Sequence, residues 1–289
     1  MSVAKGDYLL FLDSDDFFED IFIEKMYDSA IEMSADMVIC QYRQYHTMTG
    51  DISGIHGVNP RFLSRKKTRV YNGIPASEIA CLSLVPWNKL CSHKFIRENG
   101  IYFQETHHYN DNYFSIITAL SAKKIAIIPD TLIYYRVGMK TNTQSTHYNH
   151  PYDLFDVMSA VHQYLVTTNR FDKFAISFYE FLIGGCWGHL RKLQKYNCHH
   201  EIYSRIIDLI KCYDLSDFSL KNCHNKLIYV WYMKLIEYPY SKYVKENKID
   251  SISFLIRHPL MTLSVSFYLL KHAWWYLSAY GLCEFFYQV

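Results

Sequence analysis

The sequence predicts an α/β domain followed by a mainly helical region, and three observations carry that prediction. A fully apolar run, Tyr8-Leu9-Leu10-Phe11-Leu12, ends abruptly in Asp13, Asp15 and Asp16. Short apolar runs then alternate with helix-period stripes as far as Arg136. From His150 onward helical spacing takes over. Alternating strands and helices imply a layered α/β architecture, so residues 1–146 read as one domain and 147–289 as the helical region.

Taken in order, the first strand falls at 7–13, and a strand apolar on both faces belongs inside a parallel sheet. A helix over 17–33 follows, with Phe18, Ile21, Phe22, Met26 and Ile31 as its apolar stripe. A second strand takes 36–42. The stretch 43–75 is polar, and Gly50, Gly54, Gly57 and Pro60 break regular structure, so it reads as a long loop. A short helix over 75–83 leads to Pro86, and Ser92 ahead of an amphipathic stretch ending at Gly100 supplies the start and stop signals of another. Asp111 falls at the first turn of a helix running to 122, where the positive end of the helix dipole keeps a carboxylate ionised. Strands at 124–128 and 131–136 complete the domain.

In the helical region Leu154, Phe155, Met158, Val161 and Leu165 recur at helical spacing, as do residues in 171–195, 200–212 and 225–238. No nucleotide or metal motif lies among them. Residues 252–286 are more apolar and form the candidate membrane-associated segment. Lys271 and His272 interrupt the run, so the ~20 apolar residues of a spanning helix are missing. Two readings stay open. The segment packs against the rest of the protein, or it lies on a membrane with Trp274, Trp275 and Tyr276 at headgroup level.

At 289 residues, half of them hydrophobic, the chain can bury a sizeable core. With a net charge of +2, nothing argues for a nucleic-acid partner held by a strongly basic surface, and the basic run Arg61–Arg69 reads as a solvated loop. Eight scattered cysteines with no Cys-x-x-Cys pair point to reduced thiols and a cytoplasmic setting. A zinc site built from Cys198, His199, His200, Cys223 and His224 is disfavoured, because structural zinc sites draw on compact paired motifs.

The carboxylates suggest chemistry. Asp13 and Asp15, two apart on an extended backbone, point the same way. They lie where ligands of open α/β sheets bind, beyond the carboxyl end of a strand. Hard oxygen donors there suit Mg2+ or Mn2+ holding phosphate oxygens, so the residues propose metal-assisted chemistry on a phosphorylated substrate. Asp16 reads more readily as the cap of the next helix. A phosphotransferase of another kind is disfavoured, since no Gly-rich loop with an adjacent Lys is present.

A second block follows: Pro86-Trp87-Asn88-Lys89-Leu90, Phe95 to Phe103, Tyr109-Asn110-Asp111-Asn112-Tyr113-Phe114, Lys123 to Asp130, and Leu132-Ile133-Tyr134-Tyr135-Arg136. In that order, after Ala4-Lys5-Gly6-Asp7-Tyr8 and Asp13-Ser14-Asp15-Asp16, these segments resemble the family 2 glycosyltransferases over residues 4–146. The resemblance implies a GT-A fold, a mixed Rossmann-like sheet with helices, and inverting transfer of a sugar from a nucleotide diphosphate donor to a hydroxyl of a saccharide or lipid-linked saccharide. It implies surface or capsular polysaccharide synthesis at the inner face of a membrane, with uridine the commonest donor base. A divalent ion would sit on Asp15, with Asp13 on the ribose or the metal shell. Asp111 would be the base, and Asn110 an acceptor contact where the family more often has Glu. Trp87, Asn88 and Lys89 would face the acceptor, Arg136 would hold the diphosphate, and Thr141, Thr143 and Ser145 would close a loop over it.

In the family, further strands precede the Ala-x-Gly-Asp-Tyr segment and form the pocket for the base, whereas this sequence opens at Met1-Ser2-Val3. The expectation is an incomplete domain with an exposed apolar sheet edge open to a protein partner, weak donor binding by the isolated chain, and marginal solubility. The alternative function is a truncated, catalytically inactive interaction module of a polysaccharide assembly system.

Overall fold

The computed structural model describes all residues except 2, 60–61, 64–66, 74, 76–78, 80–81, 139–147, 246–253 and 281–289, and the side chains of 272 and 275–280. The chain forms two compact units, 1–142 with 272–289, and 143–271.

The first unit is an α/β layer built on a seven-stranded mixed sheet. Its strands are β1 (Tyr8–Leu9), β2 (Phe17–Phe18), β3 (Met37–His46), β4 (Ile52–His56), β5 (Arg69–Tyr71), β6 (Lys89–Ser92) and β7 (Ile125–Val137). The main path runs β1-β6-β3-β7-β2, with β4 on β3 and β5 on β7. The β3–β7 pair is parallel. The apolar strand expected inside a parallel sheet is instead a two-residue strand at one end of that path, antiparallel to β6 with Tyr8 opposite Ser92.

Helix α1 (Phe22–Met33) lies on the sheet through Phe22, Met26 and Ala30, all essentially buried. It starts five residues later than the 17–33 reading, and Ile21 and Ile31 are exposed rather than in its stripe. Phe17 and Phe18 pair with Tyr134 and Ile133 as β2 instead, and Phe17 stacks on Tyr134 with ring centroids 4.7 Å apart. Aromatic residues on a pleated strand gain such cross-strand contacts, and that gain overrides the helical period here.

The expected loop 43–75 is also corrected. β3 runs on to His46 and turns through Gly50 (φ 76°) into β4. Gly57 follows at φ 124°, where a Cβ would lie 2.9 Å from the Cys40 carbonyl oxygen. The two expected strands at the end of the unit are one, β7, which carries Pro129 inside it. The ladder shifts register there, and the buried Gln41 side chain donates to the Ile128 carbonyl at 3.2 Å. Most of the expected helix at 75–83 falls outside the described residues.

Two helices match the sequence reading closely. Helix α2 (His93–Glu98) is capped by Ser92, whose Oγ accepts from the Phe95 N–H at 3.3 Å. Helix α3 (Asn110–Ser121) carries Asp111 in its first turn and is buried from Tyr113 onward.

The second unit is helical, with α4 (Asp153–Thr167), α5 (Phe171–Leu193), α6 (His199–Cys212), α7 (Lys226–Glu237) and α8 (Tyr240–Val244). Leu154, Val157, Met158, Val161 and Leu165 give α4 its buried stripe, and a Cβ on Gly185 of α5 would lie 3.3 Å from Met158 Cε. Glu180 Oε1 accepts from the N–H groups of His224 and Asn225, tying α5 to the start of α7. The last helix, α9, covers Pro259–Tyr280. Among the described residues, no helix is long and apolar enough to cross a membrane.

Candidate active site

The chain leaves β1 along Leu10-Phe11-Leu12 and turns sharply at Ser14–Asp15. Phe11 sets this segment against α3, meeting Phe114 edge-on at 5.1 Å, while Phe103 stacks on Phe114 at 4.2 Å. Phe11 lies two residues before Asp13 and Phe114 three after Asp111. One aromatic contact therefore joins the segment that carries the carboxylate cluster to the helix that carries Asp111.

At the turn, carboxylate oxygens of Asp13, Asp15 and Asp16 lie within 4.8 Å of one another. Burial, then Asp15, raises the Asp13 carboxyl above its ordinary range. Burial also pushes Asp16 up to about 6, against the pull of the Arg136 N–H and with Asp15 and Asp13 adding to it. Asp16 Oδ1 accepts that N–H at 2.9 Å, while its buried Oδ2 has no hydrogen-bond partner among the described residues. A buried, unpartnered carboxylate oxygen facing two more carboxylates is a poor arrangement without a cation. Oxygen donors of this kind fit Mg2+ or Mn2+, with Asp13, Asp15 and Asp16 as the residues that would hold it. Asp16 is thus more than the helix cap the sequence suggested. No helix begins beside it.

Arg136 reaches the cluster through its backbone. Its guanidinium lies over the Phe17 ring, 5.4 Å from the centroid, and its buried Nε has no hydrogen-bond partner among the described residues. Tyr135, which the sequence reading gave no role, borders the cluster. Its hydroxyl is raised first by burial and then by Asp16, Asp15 and Asp13. Trp87 stacks on Tyr135 at 5.5 Å and meets Tyr42 edge-on at 4.5 Å.

The acceptor contacts expected of Trp87, Asn88 and Lys89 are not available here, because all three side chains are buried. Asn88 Nδ2 donates to the Cys40 carbonyl at 2.9 Å. Lys89 Nζ donates to the carbonyl oxygens of Ser83 (2.7 Å) and Val85 (2.5 Å) and to Asn88 Oδ1 (2.8 Å). These residues act as internal braces. Ser115 Oγ donates to the Leu84 carbonyl at 2.6 Å, so the loop braced by Lys89 is fastened to α3 one turn beyond Asp111. Asn110 and Asp111 are half-buried at the start of α3, and Asn110 Oδ1 accepts the Asp111 N–H at 2.9 Å. Thr141, Thr143 and Ser145 lie outside the described residues. Cys198, His199, His200, Cys223 and His224 form no metal-ligand group among the described residues.

Residues 1–85 match the sequence model of Glycosyl transferase family 2. This segment is similar to that family. Two relatives extend the likeness past the family match. A putative glycosyltransferase EpsH of Bacillus subtilis is 24% identical over 147 residues, covering 50% of this chain and 41% of the relative. A poly(ribitol-phosphate) beta-glucosyltransferase of Bacillus spizizenii is 29% identical over 167 residues, covering 56% of this chain and 24% of the relative. The chain therefore spans well under half the length of either. Among solved structures, S. aureus TarS 1–349 in complex with UDP-GlcNAc superposes with a TM-score of 0.44 at 22% identity, covering 54% of this chain and 42% of that one.

Proposed function

We infer that this chain serves inverting transfer of a sugar from a nucleotide diphosphate donor to a hydroxyl acceptor, on a GT-A domain at residues 1–146. The observation that supports the reading is the Asp13–Asp15–Asp16 cluster, on a segment whose Phe11 meets Phe114 of the helix that carries Asp111. Asp13 and Asp15 would hold a divalent cation, with Asp16 as a third oxygen donor. When bound, the cation neutralises charge developing on the departing nucleoside diphosphate. Arg136 binds the diphosphate, and Asp111 takes the proton from the acceptor hydroxyl, helped by its place at a helix N-terminus. Asn110 hydrogen-bonds the acceptor.

The acceptor is a saccharide or lipid-linked saccharide of a surface polysaccharide, in keeping with the relative that glucosylates poly(ribitol phosphate). Such an acceptor brings the chain to the inner face of a membrane. Uridine diphosphate sugars are the donors to test first. The measurement is release of nucleoside diphosphate from such a sugar with Mn2+ present, for the wild type and for Asp15→Ala and Asp111→Asn. Wild-type release that both variants retain would remove the reading. A non-catalytic interaction module is the second reading, favoured by the position of β1 at an end of the sheet path. It predicts that both variants keep their biological effect.

A further inference from the structure

The loop of residues 83–88 touches both halves of the site. Its Trp87 stacks on Tyr135 of β7 with ring centroids 5.5 Å apart, and the next residue of that strand, Arg136, gives its backbone N–H to Asp16 Oδ1 at 2.9 Å. At the loop's other end the Leu84 carbonyl accepts from Ser115 Oγ at 2.6 Å. Ser115 stands about one turn beyond Asp111 on α3. The loop therefore runs from the strand that holds the carboxylate cluster to the helix that carries Asp111.

Two buried side chains hold it there. Backbone carbonyls inside a protein need donors, and the successive carbonyls of Ser83, Leu84 and Val85 take them in alternation from Lys89 and Ser115. Lys89 Nζ donates to Ser83 at 2.7 Å and to Val85 at 2.5 Å, with Ser115 Oγ on Leu84 between them. The third donor of the ammonium goes to Asn88 Oδ1 at 2.8 Å, and Asn88 Nδ2 is itself bound to the Cys40 carbonyl of β3. Burial works against the Lys89 charge, which Cys91, Cys40 and then Asp111 favour, so Asp111 lies within electrostatic reach of the ammonium. Tyr109, at the N-cap of α3, makes no side-chain cap bond, which leaves packing further along the helix to place Asp111. Placement matters, because a reacting group displaced by ~1 Å loses about 100-fold in rate.

We propose that Lys89 and Ser115 are positioning residues, which through the loop of residues 83–88 set where Asp111 stands against the Asp13–Asp15–Asp16 cluster. This deepens the reading of Asp111 as the base and rests on it. The full chain is compared with Ser115→Ala, Lys89→Met, the double variant and Thr118→Val. The readouts are nucleoside diphosphate release from a panel of uridine diphosphate sugars with Mn2+, calorimetric Mn2+ titration and circular dichroism. Thr118 is buried on the same helix, but its hydroxyl donates to the Phe114 carbonyl of α3 itself, so Thr118→Val alters the helix without touching the loop. The expected result is that Ser115→Ala lowers kcat by about tenfold or more, with donor KM and Mn2+ affinity at their wild-type values, while Thr118→Val keeps its kcat. The double variant should be no slower than the slower single one, because residues that act through one loop are not additive. Ser115→Ala carries the test alone where Lys89→Met does not fold. A wild-type kcat in Ser115→Ala, or an equal fall in Thr118→Val, overturns this inference and leaves the transferase reading standing. A wild type that releases no nucleoside diphosphate overturns both.

Discussion

Asp16 and Arg136 are joined by a single hydrogen bond, from the Arg136 backbone N–H to Asp16 Oδ1 at 2.9 Å. The bond runs from the turn after β1 to the C-terminal part of β7, so the carboxylate cluster is fixed to the sheet rather than carried on a free loop. It occupies one carboxylate oxygen and leaves the other buried and unpartnered among the described residues, beside Asp13 and Asp15.

If that free oxygen is a cation ligand, Asp16→Asn should weaken Mn2+ binding by about tenfold or more, because it removes a charge and a hard donor together. The amide oxygen still accepts the Arg136 N–H, so the turn keeps its shape. Calorimetric titration of Mn2+ into both proteins decides. An unchanged affinity would return Asp16 to the role of a loop lock.

Asp111→Asn should lower turnover by ~100- to 10,000-fold, the usual contribution of a positioned base. Mn2+ affinity should stay at the wild-type value, since Asp111 is not among the clustered carboxylates. A parallel loss of metal binding and turnover would place Asp111 in the metal site or in the fold instead.

Long periodic elements were legible in the sequence, and short sheet elements were not. Helices α4 to α7 each carry a clear apolar stripe, and a stripe of that length has one stable solution, burial against a neighbour. β2, β4 and β5 have two, five and three residues, too few for a period, and they are fixed by cross-strand contacts such as Phe17 on Tyr134. The same contact moved the start of α1 to Phe22, and that start decides whether Asp16 caps a helix or joins the cluster. Asn88 and Lys89 look like surface residues by type. Only the packing of β6 against β3 reveals them as buried braces.

Gly57 gives a test of that packing away from the chemistry. Its φ of 124° is unfavourable for any side chain, and a Cβ there would meet the Cys40 carbonyl oxygen, Gln41 Oε1 and Asn88 Nδ2 within 3.2 Å. Gly57→Ala should destabilise the protein by about 1–3 kcal/mol, read as a lowered midpoint of thermal unfolding. An unchanged midpoint would mean that β3 and residue 88 are not held together as described.

Lys89 links stability to pH. Burial lowers its ammonium to about 8, while Cys91, Cys40 and Asp111 pull it the other way. The unfolded chain holds the proton up to about 10.4. Between these values the unfolded state binds more protons, so the Lys89 contribution to stability rises with pH through that window. The buried thiols of Cys40 and Cys91 are raised by burial and act in the opposite sense above pH 9, so the wild-type curve alone is ambiguous. The difference between wild type and Lys89→Met isolates the lysine. Urea unfolding of both from pH 7 to 10 should show the wild type gaining relative to the variant above about pH 8. Parallel curves would mean that Lys89 stays protonated throughout, with the loop of residues 83–88 held by a permanent buried charge.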